Sequence, residues 1–415
     1  MLENISDAFF TLMKVFAVYF TVISIFAFFR PKTIPETEKR LRFAVLVPAR
    51  NEESCISAIV ESLLTQNYPA NLADIYVIPN NCTDGTEGAA KRSGANILRV
   101  SPEVHSKGEA LHEACELLLA SDKNYDAFCV FDADNEADPN FLSAMNKALC
   151  SGARVAKSRI VSKNRDQSWV CACYDIYFCS ANLFLNRARS VIGLSARLIG
   201  TGFAVRRDFL EELDGFNTET ITEDAEFFAV CAARGEKIAF CEDALTYDEE
   251  PLSFKTSLIQ RRRWMSGIMQ VTRLKFAELC SGLLHRRSFI YSFDVLMQFC
   301  FSYIQAVLPF MVLLVFIADP AEFTLAIPLS LMTAYIGSAA NALLALLLQK
   351  RLTAAMIPGI LMYPVFVFSF IPLQTVSLFR RTTSWQEIRH SGVRRFHSEK
   401  VPGFSNDPVL PEYVA

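Results

Sequence analysis

Long unbroken apolar runs mark the two ends of the chain, and short ones alternate with polar residues through its middle. Residues 8–29 form a 22-residue stretch whose only charge is Lys14. At 1.5 Å per residue, a helix of that length crosses a hydrocarbon core of roughly 30 Å. Signal-peptide cores are typically about 7–15 residues and end at a small-residue cleavage site. This run is longer and ends in AFFRPK, which makes it an uncleaved anchor. Three further runs, 295–318, 323–348 and 352–379, contain no acidic or basic side chain, and each is long enough to span. The order is membrane, globule, membrane: 1–40 an anchor and linker, 41–252 a globular domain, 253–290 an amphipathic interfacial segment, 291–380 a membrane region and 381–415 a tail.

Inside the globule the period changes. FAVLVPA (43–49) is a buried-strand run, followed by a stretch with helical spacing for which Asn51 is the expected cap. The same alternation continues with DIYVIP (74–79), a helix over 83–94, NILRV, a helix over 107–120 and AFCVFD (127–132). Strands alternating with helices at this spacing predict an α/β domain with a mainly parallel sheet and helices on both faces. Ligands of such sheets sit beyond the carboxyl ends of the strands. ARNEE, NNCTDGT, KG and DADNEAD all fall there.

Composition sharpens this picture in three places. The chain is 52% hydrophobic with a mean hydropathy of +0.24, as its end runs require. Lys and Arg are absent before the first anchor and frequent after it (Arg30, Lys32, Lys39, Arg40, Arg42), so the positive-inside rule places the globule in the cytoplasm and the N-terminus outside. Three full crossings after the globule would put the tail outside, against its own Arg and Lys residues. Pro358, Pro364 and Pro372 therefore point to one C-terminal run that is re-entrant or interfacial, its broken backbone shielded by protein. A net charge of −3 gives no sign of a nucleic-acid partner, and twelve cysteines scattered through apolar segments read as reduced, buried thiols.

Three motifs carry candidate chemistry. Asp132 and Asp134 end an apolar strand; a solvated strand end is the plain reading, and a site for Mg²⁺ shared with substrate phosphates is the functional one. Glu223 and Asp224 precede a helical pattern, either as charges favourable at a helix N-terminus or as a general base. In LIQRRRWMSG (258–267), Gln260, Arg263 and Trp264 fall at i, i+3 and i+4 on one helical face. An interfacial helix explains the composition, but the shared face favours a site in which an arginine fork holds a diphosphate beside an indole.

DAD (132–134), TED (222–224) and QRRRW (260–264), in that order, resemble the family 2 glycosyltransferases, in particular the membrane-embedded processive synthases of the cellulose, chitin and hyaluronan type. The resemblance covers residues 43 to about 270 and the flanking helices. It implies a glycosyltransferase A-type fold and Mg²⁺ or Mn²⁺ as cofactor, the metal held by Asp134 and Asp132. It further implies Asp224 as base with Glu223 beside it, Asp132 and Lys107 near the nucleotide sugar, and Gln260, Arg263 and Trp264 along the diphosphate and acceptor mouth. Gly202 would belong to the acceptor-side loop, and Trp385 to a C-terminal element over the nucleotide. Asn80 stands where many members carry a carboxylate near the base and ribose. The implied activity is inverting β-transfer from a UDP-linked sugar to a growing polysaccharide at the cell membrane, or alternatively to a lipid acceptor.

Overall fold

The protein is described here by a computed structural model that covers residues 2–382 and residue 392. Its globule is built on one eight-stranded sheet in the order β3-β2-β1-β4-β7-β6-β8-β5. The strands are β1 Phe43–Ala49, β2 Ala73–Pro79, β3 Asn96–Ile97, β4 Ala127–Val130, β5 Glu136–Ala137, β6 Val155–Ser162, β7 Phe203–Arg206 and β8 Ile238–Asp248. Pairs β1–β2, β1–β4, β2–β3 and β6–β8 are parallel, while β7 runs antiparallel between β4 and β6, and β5 antiparallel to β8.

The helices are α1 Leu2–Ile25, α2 Ile56–Leu64, α3 Thr86–Arg92, α4 Lys107–Leu119, α5 Phe141–Cys150, α6 Trp169–Ser180, α7 Ala188–Val191, α8 Arg207–Glu212 and α9 Glu223–Ala233. They are followed by α10 Phe254–Gly282, α11 Phe289–Ala318, α12 Pro320–Leu348, α13 Ile357–Phe368 and α14 Phe370–Phe379. Alternation along β1 divides the core between the two faces of the sheet, as period-2 geometry requires. Leu46 packs in one cluster with residues of α4 and α9, while Val45 and Val47 pack in the other with residues of α2 and α5. NILRV contributes only the two residues of β3, and the DxD strand stops at Val130. Asn51 does not cap α2, which starts at Ile56. It adopts a positive φ of 59°, and its carboxamide oxygen accepts from Thr83 N–H at 2.8 Å, holding the neighbouring cleft loop.

Among the described residues, four helical segments are long and apolar enough to cross a membrane: Asn4–Phe28, Phe289–Ala318, Ala326–Leu348 and Ala354–Phe379. The cysteine-rich stretch is α6, which buries Cys173, Ile176 and Cys179 against residues of α1, α12 and α13. Two buried ion pairs fasten globule to helices. Arg189 meets Asp294 at 2.9 Å, and Tyr19 of α1 donates to the same carboxylate at 2.7 Å. Arg351, just past α12, grips Asp175 of α6 at 2.9 and 3.0 Å. The last run is two helices broken at Ser369, and it keeps touching the globule and α10. Gly359 lies against Ala172, Phe366 and Ser369 accept from Arg261, and beyond α14 Thr382 N–H donates to Ser266 of α10 at 2.8 Å.

Candidate active site

A cleft of about 300 Å³ opens beyond the carboxyl ends of β1, β2 and β4. Asp132, Asp134, Lys107, Asn80, Glu223, Asp224, Gln260, Arg263 and Trp264 all line it. Positions 132–134 keep the strand alternation past the last ladder residue. Ala133 is buried, and the two aspartates are half-exposed in the cleft. Their backbone is fixed by Asn135, which is fully buried. Its oxygen accepts from Asp132 N–H at 3.2 Å and from the Thr201 hydroxyl, and its amide donates to Asp248 at 2.8 Å and Asp134 at 3.4 Å. The sequence reading missed Asn135, Thr201 and Asp248. The only available signal was Asn135's place next to the DxD.

Lys107 is the first residue of α4, whose start is set by a capping box between Ser106 and Glu109. That start aims its ammonium at three oxygens: Asp132 at 2.6 Å, Glu223 at 2.7 Å and Gly200 C=O at 3.0 Å. Burial works against its charge, but the two carboxylates outweigh this and hold the ammonium above its usual range. Burial pushes the Glu223 carboxyl up, against the pull of Lys107. Burial, with Asp134 and Asp132 close by, pushes Asp248 well above the usual carboxylate range.

Asp224, in the first turn of α9, accepts from Gly200 N–H at 2.5 Å, and Gly200 reaches this position with φ +54°. Glu226, on the same turn, is engaged in the loop before α9, where its carboxylate accepts from Glu219 N–H at 2.9 Å and Thr220 N–H at 2.8 Å. Glu223 and Asp224 are left for the cleft. Gly202 turns the other way: a side chain there would meet the Thr246 and Ser158 hydroxyls inside the sheet, so its role is packing, and Gly200 is the glycine that faces the cleft. Trp385 lies outside the described residues.

On α10 the Gln260 oxygen accepts from Tyr174 O–H at 2.6 Å, and the Trp264 ring meets Tyr174 edge-on at 6.0 Å. Arg263, together with Arg197 on the opposite loop, lines the cleft without an ion-pair partner among the described residues. Unpaired guanidinium groups facing a cleft suit an anionic ligand. The carboxylate oxygens that Asp132 and Asp134 present to the cleft are a donor set that fits a hard divalent cation. Among the described residues no three His, Cys, Asp or Glu side chains form a metal-holding group, so phosphate oxygens of a ligand would complete the coordination. The lining also includes the apolar side chains Ile160, Tyr177, Phe178, Ile221, Met265 and Ile268.

Residues 40–267 match the model of the family described as glycosyltransferase like family 2. Among curated proteins, the chain is 28% identical over 258 residues to a probable glycosyltransferase, YdaM, of Bacillus subtilis, covering 59% of each chain. It is 26% identical over 193 residues to β-monoglucosyldiacylglycerol synthase of Nostoc, covering 44% of this chain and 39% of that one. It is 24% identical over 286 residues to cellulose synthase 2 of Novacetimonas hansenii, covering 67% of this chain and 17% of the relative. The chain thus spans less than two thirds of these relatives' lengths. A mannosyltransferase from Pyrobaculum calidifontis, solved with GDP-mannose and Mn²⁺, superposes with a TM-score of 0.61 over 88% of this chain and 99% of that one, at 17% identity. The fold is glycosyltransferase A-type, with a mixed, mostly parallel sheet and four long apolar helices.

Proposed function

This chain belongs to the family 2 glycosyltransferases, and on that premise we propose that it is an inverting transferase acting at the cytoplasmic face of the cell membrane. It moves a sugar from a UDP-linked donor to an acceptor held by the membrane. The meeting of Asp132, Asp134, Lys107, Asp224 and Arg263 around one cleft carries this reading.

One oxygen of Asp224 is taken by Gly200 N–H, which orients the carboxylate and leaves the other oxygen to remove the proton of the acceptor hydroxyl. Attack on the anomeric carbon from the side opposite the diphosphate inverts its configuration. Arg263, which lines the cleft, would take up charge on the leaving diphosphate with its guanidinium fork. Asp132 and Asp134 would hold Mg²⁺ or Mn²⁺, which when bound neutralises diphosphate charge. The free Asn80 oxygen, with its amide turned to Ser106 C=O at 3.4 Å, is an acceptor suited to the imide N–H of uracil.

The acceptor is a lipid in the reading the geometry favours. Tyr177 and Phe178 of α6, the helix that packs on the membrane helices, are among the apolar residues that line the cleft. Beside α10, the helices meet through direct contacts: Gln374 with Gln305 at 3.1 Å, Thr375 with Ala306 C=O at 2.9 Å, and Tyr177 stacked on Phe370 at 6.0 Å. Transfer to a growing polysaccharide is the second reading, supported by the motif order and by the alignment with cellulose synthase 2 over two thirds of this chain. Purified protein in lipid, given UDP- and GDP-sugars with Mn²⁺ or Mg²⁺, tests both. Nucleotide release with a single glycolipid product supports the lipid acceptor, and a ladder of oligosaccharides supports the polymer. Asp224→Asn should lower transfer about 10²–10⁴-fold with donor binding retained; undiminished turnover would remove Asp224 as the base.

A further inference from the structure

The motif QRRRW contains an arginine that does not face the cleft. Arg261 is fully buried and points to the break in the last apolar run, where it donates to Phe366 C=O at 2.7 Å and to the Ser369 hydroxyl at 2.7 Å. Three rings surround its guanidinium, Phe366 at 4.0 Å, Phe370 at 4.8 Å and Phe254 at 5.4 Å. The cause of the break lies in the sequence. Pro372 has no N–H for the carbonyl four residues back and its ring crowds that carbonyl, so the helix is interrupted one turn earlier, at Ser369. Carbonyls near the carboxyl end of α13 are then open to a cationic donor.

We propose that Arg261 is a positioning residue for glycosyl transfer: by clamping the broken run, it fixes the turn of α10 that presents Gln260, Arg263 and Trp264 to the cleft. The connection is continuous. Arg261 Nε donates to Ser257 Oγ at 3.0 Å, Ser257 donates to Tyr174 O–H at 3.1 Å, and Tyr174 donates to Gln260 at 2.6 Å. The Tyr174 ring contacts Phe366 at 5.0 Å on one side and Trp264 at 6.0 Å on the other. The last apolar run is thus part of the transferase machinery as well as a membrane element. Arginine suits the post because Nη1 serves both acceptors of the broken run while Nε, on the same rigid plane, reaches Ser257 and that plane packs on rings.

The proposal rests on the transferase reading, and the variants Arg261→Met, Arg261→Lys, Ser369→Ala and Arg261→Met/Ser369→Ala test it in the full-length protein in lipid. Arg261→Met keeps the packing volume and removes the clamp. Its kcat for nucleotide release from UDP-sugar should fall about tenfold or more with donor KM within about twofold, as displacement of groups acting in the transition state predicts. Arg261→Lys should recover part of the loss, and Ser369→Ala should add nothing in the Arg261→Met background. Unchanged kcat, or fully additive losses, would overturn the clamp. If Arg261→Met fails to fold, Ser369→Ala alone decides by the same kcat criterion. Emission of Trp264, isolated by Trp169→Phe and Trp385→Phe, gives a reading independent of turnover. A shift on loosening the clamp supports the proposal, and an unchanged spectrum overturns it even if the wild type transfers no sugar from any donor.

Discussion

Three consecutive arginines in one helix turn go to three environments. Arg261 is buried in the clamp, Arg262 is exposed, and Arg263 is half-buried and faces the cleft. At 100° per residue one helix cannot point neighbouring side chains the same way, so a run that looks like one basic patch carries separate tasks. Arg262→Ala should therefore leave kcat within about twofold, whereas Arg263→Lys, losing the fork, should lower kcat/KM by about 10–100-fold, equivalent to about 1.4–2.7 kcal/mol of transition-state stabilisation. A donor titration of both variants separates the two. Lys157, below the cleft, has a different prediction. It is buried, donates to Thr201 C=O at 2.7 Å, and burial pushes its ammonium down from 10.5 to about 7. Between pH 7 and 10.5 the unfolded chain binds the proton that the folded chain does not, so this group makes stability rise with pH across that window and contributes no slope below it. Thermal unfolding of Lys157→Met from pH 7 to 10 should show that slope reduced. Lys107, Asp132, Asp134, Glu223 and Asp224 could be read from the sequence because each sits past the end of a strand or at the start of a helix, and Gln260, Arg263 and Trp264 because their spacing puts them on one face of α10. Asn135 and Asp248 could not, because a buried hydrogen-bond hub depends on residues 113 positions apart being neighbours.

At the scale of elements, the strand and helix order followed from apolar periodicity as far as β4, while β5, β6, β7 and β8 were not read from it. The antiparallel insertion of β7 between β4 and β6 is a tertiary choice that a four-residue run cannot signal. The Asn51 expectation failed for a related reason: a residue read as a local cap is bound to a loop 32 positions away. Helix packing at the membrane face gives a further prediction. A Cβ added at Gly359 would lie 2.5 Å from the Ala172 Cβ, closer than two carbons can pack, so α13 and α6 must separate. Gly359→Ala should lower the unfolding midpoint in detergent, and Ala172→Gly should restore part of it.

For the whole molecule, tail charge and crossing number disagree if every apolar run spans. The contacts of the last run with α6 and α10, from Arg351 at its start to Thr382 after its end, support a re-entrant or interfacial course. We therefore expect three crossings, by α1, α11 and α12, with the tail on the side of the globule. Fluorescent-protein fusions after residues 350 and 382 should report the same compartment, and one after 319 the opposite. Opposite compartments for the first two would remove the re-entrant course.

The hydroxyl of Tyr19 and the carboxylate it serves are 275 positions apart. At a synthesis rate of about 5–20 residues per second, Tyr19 waits on the order of 14–55 s for Asp294 to leave the ribosome. Arg189 follows later and lacks its carboxylate over the last 105 residues of that interval, and an unmatched cation of this kind is costly to enclose. Nascent chains that terminate before position 294 should thus be held open at this joint and cleared by quality-control proteases, so the globule seals only after the first segment of α11 has been made.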